Sequence, residues 1–318
     1  MRGMTLRAIA EACNGVYYGS EDNLDKEVTD ITTDSRKVQN GGLFVAICGE
    51  RTDGHQYIDN CFNDGALCVI SEKELEGQTN SYIKVKSSLQ ALKDMALLYR
   101  NNLDIKVVGI TGSVGKTSTK ETISYVLNKK YKVLKTEGNF NNHIGVPLTL
   151  LRLTKEHEMA VVEMGANHPG EIKTLVHIAE PDYGIITNVG KAHLQGFGSF
   201  EGVIRTKGEL YDFLRDKGGA TIFIQNENPY LNGIAEGLTC VRYGQTVGLY
   251  VSGELISCSP FLSFRWTAEG VSHEVNTHLI GSYNLDNMLA AAAIGRYFGV
   301  SDDDISRALA SYLAHNNP

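Results

Sequence analysis

Short, nearly continuous apolar runs alternate with longer stretches of helical periodicity along most of this chain. In the first hundred residues the runs Leu43-Phe44-Val45-Ala46-Ile47, Leu67-Cys68-Val69-Ile70 and Tyr82-Ile83-Lys84-Val85 predict strands. Between the first two, Tyr57 to Asp64 reads as a helix. Ser88 to Tyr99 reads as another, with Leu89, Leu92, Met95, Ala96 and Tyr99 on one face and Ser87 or Ser88 as its N-cap. This pattern predicts a small α/β domain over residues 1–100. The polar stretch Arg100-Asn101-Asn102-Leu103-Asp104 serves as a linker to a second domain over 101–314. There the expected elements are strand 105–110, helix 116–128, strand 131–135, helix 144–152, strand 159–164, helix 169–179, strand 183–188, helix 199–214 and strand 220–224. Such alternation predicts a mostly parallel, doubly wound sheet with helices on both faces. Over 249–280 polar and apolar residues alternate one by one, as in Ser263-Phe264-Arg265-Trp266, which predicts antiparallel strands. Helices at 284–298 and 301–313 follow.

Composition narrows the class. The chain has 318 residues, enough for two domains, with 42% hydrophobic and 21% charged residues, as in ordinary globular proteins. A net charge of −7 gives no basic footprint for nucleic acid. No apolar run approaches the ~20 residues of a membrane span, and Met1-Arg2-Gly3-Met4-Thr5-Leu6-Arg7 has no signal-peptide core. The six cysteines form no Cys-x-x-Cys pair, and the expectation is reduced, buried thiols in a cytoplasmic protein.

The densest chemical signal is Gly109-Ile110-Thr111-Gly112-Ser113-Val114-Gly115-Lys116-Thr117-Ser118-Thr119, lying between an expected strand and an expected helix. Strand, glycine-rich turn, Lys-Thr and helix together form a phosphate cradle. Backbone N–H groups and the helix N-terminus face the anion, Lys116 reaches the outer phosphates, and the Thr117 hydroxyl can sit on Mg²⁺. The glycine spacing is a variant, with Ile110 where the common loop has its first glycine. In a doubly wound fold, ligands lie beyond the carboxyl ends of strands. After 131–135 comes an amide-rich loop, Thr136 to His143, which can cap turns or face a ligand. After 159–164, Glu163 has the placement of a magnesium-binding acid. After 183–188 comes Asn188-Val189-Gly190-Lys191-Ala192-His193, whose His193 can be a metal ligand. Lys207 is a surface lysine, a phosphate contact, or a lysine carbamylated by CO₂ into an oxygen ligand.

Taken in order, these blocks resemble the Mur ligase family of peptidoglycan synthesis. The series runs from Thr111–Thr117 through Gly138-Asn139-Phe140-Asn141-Asn142, Glu163-Met164-Gly165-Ala166, Asn188–Leu194 and Lys207-Gly208-Glu209 to Gly281–Asn287. The Asn block with Gly145-Val146-Pro147, and Val162–Ala166, are most similar to the branch that adds D-alanyl-D-alanine. Thr33-Asp34-Ser35-Arg36 and Gly49–His55 are similar to the family's UDP-substrate domain. The resemblance implies ATP-dependent formation of an amide bond through an acyl phosphate, with UDP-MurNAc-tripeptide and D-Ala-D-Ala as partners. It also implies ATP and two Mg²⁺ ions as cofactors, and a cytoplasmic monomer. Gly112, Ser113, Gly115, Lys116, Thr117 and Ser118 would hold the phosphates, and Asn284 and Asn287 would lie along the adenine. Thr117 and Glu163 would hold one Mg²⁺, His193 and carbamylated Lys207 the other. Lys116, Lys207 and His193 would be the catalytic set. Asn141 and Asn142 would face the sugar-peptide, and Ser35 and Arg36 the UDP.

Family members carry a third, Rossmann-like domain, and no such domain follows His315-Asn316-Asn317-Pro318 in this sequence. The expectation is that this chain alone binds the UDP-substrate and ATP, and ligates poorly or not at all. Other readings weighed on the same residues are another amino-acid ligase of the superfamily, a folylpolyglutamate synthetase, a P-loop kinase or GTPase, and a non-catalytic binding module.

Overall fold

A computed structural model describes residues 1–190 and 194–314, and its chain divides into two units. The first comprises Met1–Asp104 and His143–Thr154, the second Ile105–Asn142 and the residues from Lys155 onward.

In the first unit, β1 (Val16–Tyr18), β2 (Ile31–Thr32), β3 (Leu43–Val45), β4 (Cys68–Ser71) and β5 (Tyr82–Lys84) form a sheet of order β1-β5-β4-β3-β2. Only the β1–β5 pair is antiparallel. The helices are α1 (Leu6–Ala12), α2 (Ile58–Asn63) and α3 (Ser88–Asn101). Ser87 caps α3 by accepting the Gln90 N–H at 3.1 Å, and Ala91, Leu92, Met95, Ala96 and Tyr99 form its buried face. The strands β1 and β2 and helix α1 were not legible in the apolar pattern, being short and mixed in polarity.

The second unit begins with β6 (Lys106–Thr111) and α4 (Lys116–Leu127), followed by β7 (Val133–Lys135). The next helix, α5 (Gly145–Leu151), belongs to the first unit, where it packs on α3. The Tyr99 hydroxyl donates to the Leu153 carbonyl at 2.6 Å and ties the segment down. The sequence pattern had placed this helix among the alternating elements of the second domain. The second unit continues with β8 (Met159–Glu163), α6 (Glu171–Ala179), β9 (Tyr183–Ile186), α7 (Leu194–Phe197), α8 (Phe200–Lys217), β10 (Thr221–Gln225), α9 (Pro229–Gly233), β11 (Thr239–Gly244), β12 (Val251–Cys258), β13 (Phe261–Ala268), β14 (Val271–Ile280), α10 (Asn284–Tyr297) and α11 (Asp302–Ser311).

The sheet order is β14-β13-β12-β11-β10-β9-β6-β8-β7, parallel from β7 to β12 and antiparallel across β12–β13–β14. This is the α/β class the pattern predicts. Along β6, Val108 and Ile110 join the core that contains α4, α10 and α11, while Gly109 faces Leu210 of α8. Strand β13 alternates cleanly, burying Leu262, Phe264, Trp266 and Ala268 and leaving Arg265 to bridge Glu254 and Glu274 at 2.6 and 2.5 Å. All six cysteines are free. Cys13, Cys61 and Cys68 are buried as expected, but Cys48 is exposed because it sits in the turn after β3.

Helix α10 approaches α4 through small residues. Ala290 to Ala293 and Gly295 are buried, and a Cβ on Gly295 would come within 2.4 Å of Val126 Cγ1. A β-branched side chain on a helix has little rotameric room to yield. Gly295→Ala should therefore lower unfolding stability by about 1–3 kcal/mol, read by urea titration, and Val126→Ala in the same chain should recover part of that loss.

Candidate active site

Strands β6, β8 and β9 end level, with Ile110 opposite Glu163 and Thr111 opposite Ile186. The chain leaves β6 for β7 and β8 on one side and reaches β9 on the other, so this edge is a topological switch point. The turn Gly112–Gly115 lies there. Gly112 has φ +147°, and a Cβ on it would fall 2.0 Å from Thr187 Oγ1. Gly115, at φ +79°, delivers the chain into α4 from the left-handed region.

The turn is fastened to the loop after β9. The Val114 N–H donates to Asn188 Oδ1 at 3.0 Å, and Asn188 Nδ2 returns a bond to the Val114 carbonyl at 2.8 Å. Thr187 Oγ1 donates to that same carbonyl at 2.7 Å, and the Gly190 N–H donates to Ser113 Oγ at 2.9 Å. Lys116 Nζ folds back onto the Gly112 and Ser113 carbonyls at 2.9 and 3.5 Å. Burial lowers its pKa, against the opposing pull of Glu163.

Glu163 is the best-connected group at this edge and is 1% exposed. Its N–H donates to Thr136 Oγ1 at 2.9 Å. Its carboxylate accepts from Asn141 Nδ2 at 2.9 Å and from Thr117 Oγ1 at 3.2 and 3.3 Å. Lys120 Nζ lies 3.3 Å from Oε2. The Thr117 hydroxyl and Glu163 carboxylate are hard oxygen donors of the kind Mg²⁺ takes, in the small number that leaves its remaining positions to phosphate and water. Among the described residues no group of three or more His, Cys, Asp or Glu is disposed to hold a metal ion by itself. The donor set therefore fits a cation that arrives with a phosphate ligand.

The other expected residues fall as follows. Asn284 and Asn287 open α10 and form a chain in which Asn284 Nδ2 donates to the Ile280 carbonyl, Asn287 Nδ2 to Asn284 Oδ1, and Thr119 Oγ1 to Asn287 Oδ1 at 2.8 Å. Asn287 also faces Gly115. Ser118 is exposed on the first turn of α4. The Asn141 amide is engaged with Glu163, while Asn142 is exposed. His193 lies outside the described residues. Lys207, on α8, is 3% exposed, with Nζ at 3.5 Å from the Ala166 carbonyl and 5.3 Å from the centre of the Phe197 ring. In the first unit, Asp34 caps a single 3-10 turn containing Ser35 and Arg36 and accepts two bonds from the Arg36 guanidinium at 2.9 and 2.8 Å. That pairing holds the Asp34 carboxyl down to about 2.

Three participants escaped the sequence reading. Asn188 was quoted only as part of a loop, Thr136 carried no signal, and Lys120 is visible only as the lysine one helical turn after Lys116.

Burial, and secondarily the charge of Lys116, lower the Lys207 pKa to about 8. A lysine depressed in the folded state costs stability wherever it is protonated. The cost is full below about pH 8 and disappears as pH rises toward the ordinary value near 10.4. Lys207→Met should be the more stable protein at neutral pH by up to about 3 kcal/mol, and that advantage should vanish near pH 10 in unfolding titrations.

Residues 110–295 match the family model described as the Mur ligase middle domain, and residues 27–100 match that described as the Mur ligase family, catalytic domain. The chain is 35% identical over 308 residues to UDP-N-acetylmuramoyl-tripeptide–D-alanyl-D-alanine ligase of Bacillus subtilis, covering 96% of this chain and 66% of the relative. It is 36% identical to the enzyme of the same name from Escherichia coli, covering 99% and 69%. A crystal structure of MurF from Acinetobacter baumannii superimposes with a TM-score of 0.88 at 30% identity, over 98% of this chain and 69% of that one. MurF from Thermotoga maritima in complex with ADP gives 0.80 at 31% identity, over 90% and 66%. The chain thus spans about two thirds of the length of the relatives it matches.

Proposed function

The chain belongs to the Mur ligase family, a family of ATP-dependent amide ligases, and from that premise we propose that it carries the ATP and UDP-substrate sites of an enzyme that joins D-Ala-D-Ala to UDP-MurNAc-tripeptide through an acyl phosphate. The observation that carries the reading is the pairing of Thr117 with Glu163 beside Lys116 at the level ends of β6 and β8.

A peptide carboxylate does not acylate an amine until an oxygen is made a leaving group, and phosphorylation does that. The chain's part is to place charge where charge develops. Lys116 exchanges its two carbonyl partners for the outer phosphates. Asn188 takes the Ser113 and Val114 N–H groups and fixes the turn, so the phosphates would be met by the N–H groups that open α4, from Lys116 onward. Thr117 and Glu163 would hold Mg²⁺, which when bound would neutralise charge on the transferring phosphoryl group. Ser118, exposed on the first turn of α4, would contact the phosphates, and Asn284 and Asn287 would border the adenine. Arg36 and Ser35 take the UDP end, and Asn142 the sugar-peptide side. Lys207, whose amine is partly neutral near pH 8, has the nucleophilic character that carbamylation by CO₂ requires. As a carbamate it would supply an oxygen ligand that, with His193, would hold a second Mg²⁺.

Binding tests this on the chain in hand. The unsubstituted protein should bind MgATP by calorimetry, and Lys116→Ala should weaken that binding about 10- to 100-fold, the worth of one charge-assisted contact. UDP-MurNAc-tripeptide should bind independently and lose affinity on Arg36→Ala with ATP binding unchanged. ATP affinity unaffected by Lys116→Ala would overturn the assignment. For Lys207, a ¹³C carbamate resonance in ¹³C-bicarbonate that is absent from Lys207→Ala is the expected result.

A further inference from the structure

One charge at this edge has no part in that scheme. Lys120 is wholly buried, yet it stands on α4 one turn beyond Lys116. Its Nζ lies 3.3 Å from Glu163 Oε2 and 3.3 Å from Glu121 Oε1, and it has no aligned hydrogen-bond partner. Glu121 is in turn paired with Lys135 at the end of β7. A line of alternating charge, Lys135–Glu121–Lys120–Glu163, therefore runs through the protein and ends at the site carboxylate.

A buried ammonium is costly, and an apolar side chain of similar length would fill the same volume without that cost. What an apolar residue lacks is a positive charge behind Glu163. The contact is electrostatic rather than directional, since the orientation of the carboxylate is already fixed by Asn141, Thr117 and the Thr136-bound backbone. Lys120 and Thr117, three residues apart on α4, both reach the Glu163 carboxylate.

We propose that Lys120 is a positioning residue that acts through Glu163: a resident cation that offsets the carboxylate, so that the edge holds a divalent cation poorly alone and holds it once phosphate oxygens complete the ligand set. The proposal rests on the reading above that Glu163 faces the nucleotide's cation. Glu121 sets how much of the Lys120 charge Glu163 feels. Neutralising Glu121 leaves Glu163 as the one carboxylate paired with Lys120 among the described residues and should act opposite in sign to removing Lys120.

The experiment titrates manganese alone into the whole chain, followed by the paramagnetic resonance of free Mn²⁺, and repeats the titration with ADP present. Lys120→Met and Lys120→Gln should lower the nucleotide-free manganese midpoint about tenfold or more, as expected when a unit charge a few ångströms away is removed. Lys120→Arg should stay near the unsubstituted value. Glu121→Gln, at a position 24% exposed, should raise the midpoint several-fold. A lysine that only filled volume would leave every midpoint unmoved, and that result overturns the proposal. So does a lowered midpoint in Glu121→Gln, which decides the matter even where neither Lys120 variant folds. If the unsubstituted chain binds no manganese with ADP, the functional reading itself fails and the role of Lys120 falls with it. If it binds and the variants do not shift, the role of Lys120 alone fails.

Discussion

A carboxylate taken almost wholly out of water at the end of a strand must be matched on every side, and much of the second unit is arranged to do that for Glu163. Its oxygens are met by the Asn141 amide, the Thr117 hydroxyl and the Lys120 ammonium, and its N–H by the Thr136 hydroxyl. Those four groups come from α4 and from the loop after β7, so β6, β7 and β8 have to end together for the charge to be satisfied at all. An unpaired ion there would cost several kcal/mol. The register of three parallel strands and the start of one helix are thus coupled to a single side chain.

The Gly112–Gly115 turn is held in shape for a related reason. Its only side chains of any reach are Ser113 and Val114, and its shape is imposed from outside by Thr187, Asn188 and Gly190. Gly112 is needed because Thr187 occupies the space a Cβ would take. Asn287 holds α4 through Thr119 just behind the turn, and the small-residue face of α10 lets that approach be close. Donors fixed before a ligand arrives lose little on binding it, which is how a short turn competes with water for a phosphate.

The alternation of the apolar runs made the doubly wound sheet legible, because parallel strands buried on both faces are nearly continuous in Val, Ile and Ala, as Met159–Val162 is. The Gly-x-x-Gly-Lys-Thr spacing made the turn legible, and the position of Glu163 after an apolar run made the strand-end acid legible. What was not legible depends on three-dimensional neighbours. A lysine in the middle of a helix reads as solvent-facing, and nothing local in Lys120 says that it points at a strand end. Asn141 reads as a ligand for something outside the protein, yet its amide is engaged within it. Strand β11 was missed because Thr239-Cys240-Val241-Arg242-Tyr243-Gly244 alternates too weakly to stand out. Helix α5 was found as a helix but expected with the wrong neighbours, since chain order argues for adjacency and cannot reveal an excursion.

That excursion has a consequence for how the protein is made. Helix α5 buries Val146, Leu150 and Leu151 in the first unit, although it is separated from Asp104 by the whole of β6, α4 and β7. During synthesis, the amino-terminal unit cannot close its core until Thr154 has cleared the ribosome, by which time the Gly112–Gly115 turn is already outside. The two units therefore cannot mature strictly one after the other, as consecutive domains usually do. A fragment ending at Asp104 would be missing part of its own interior.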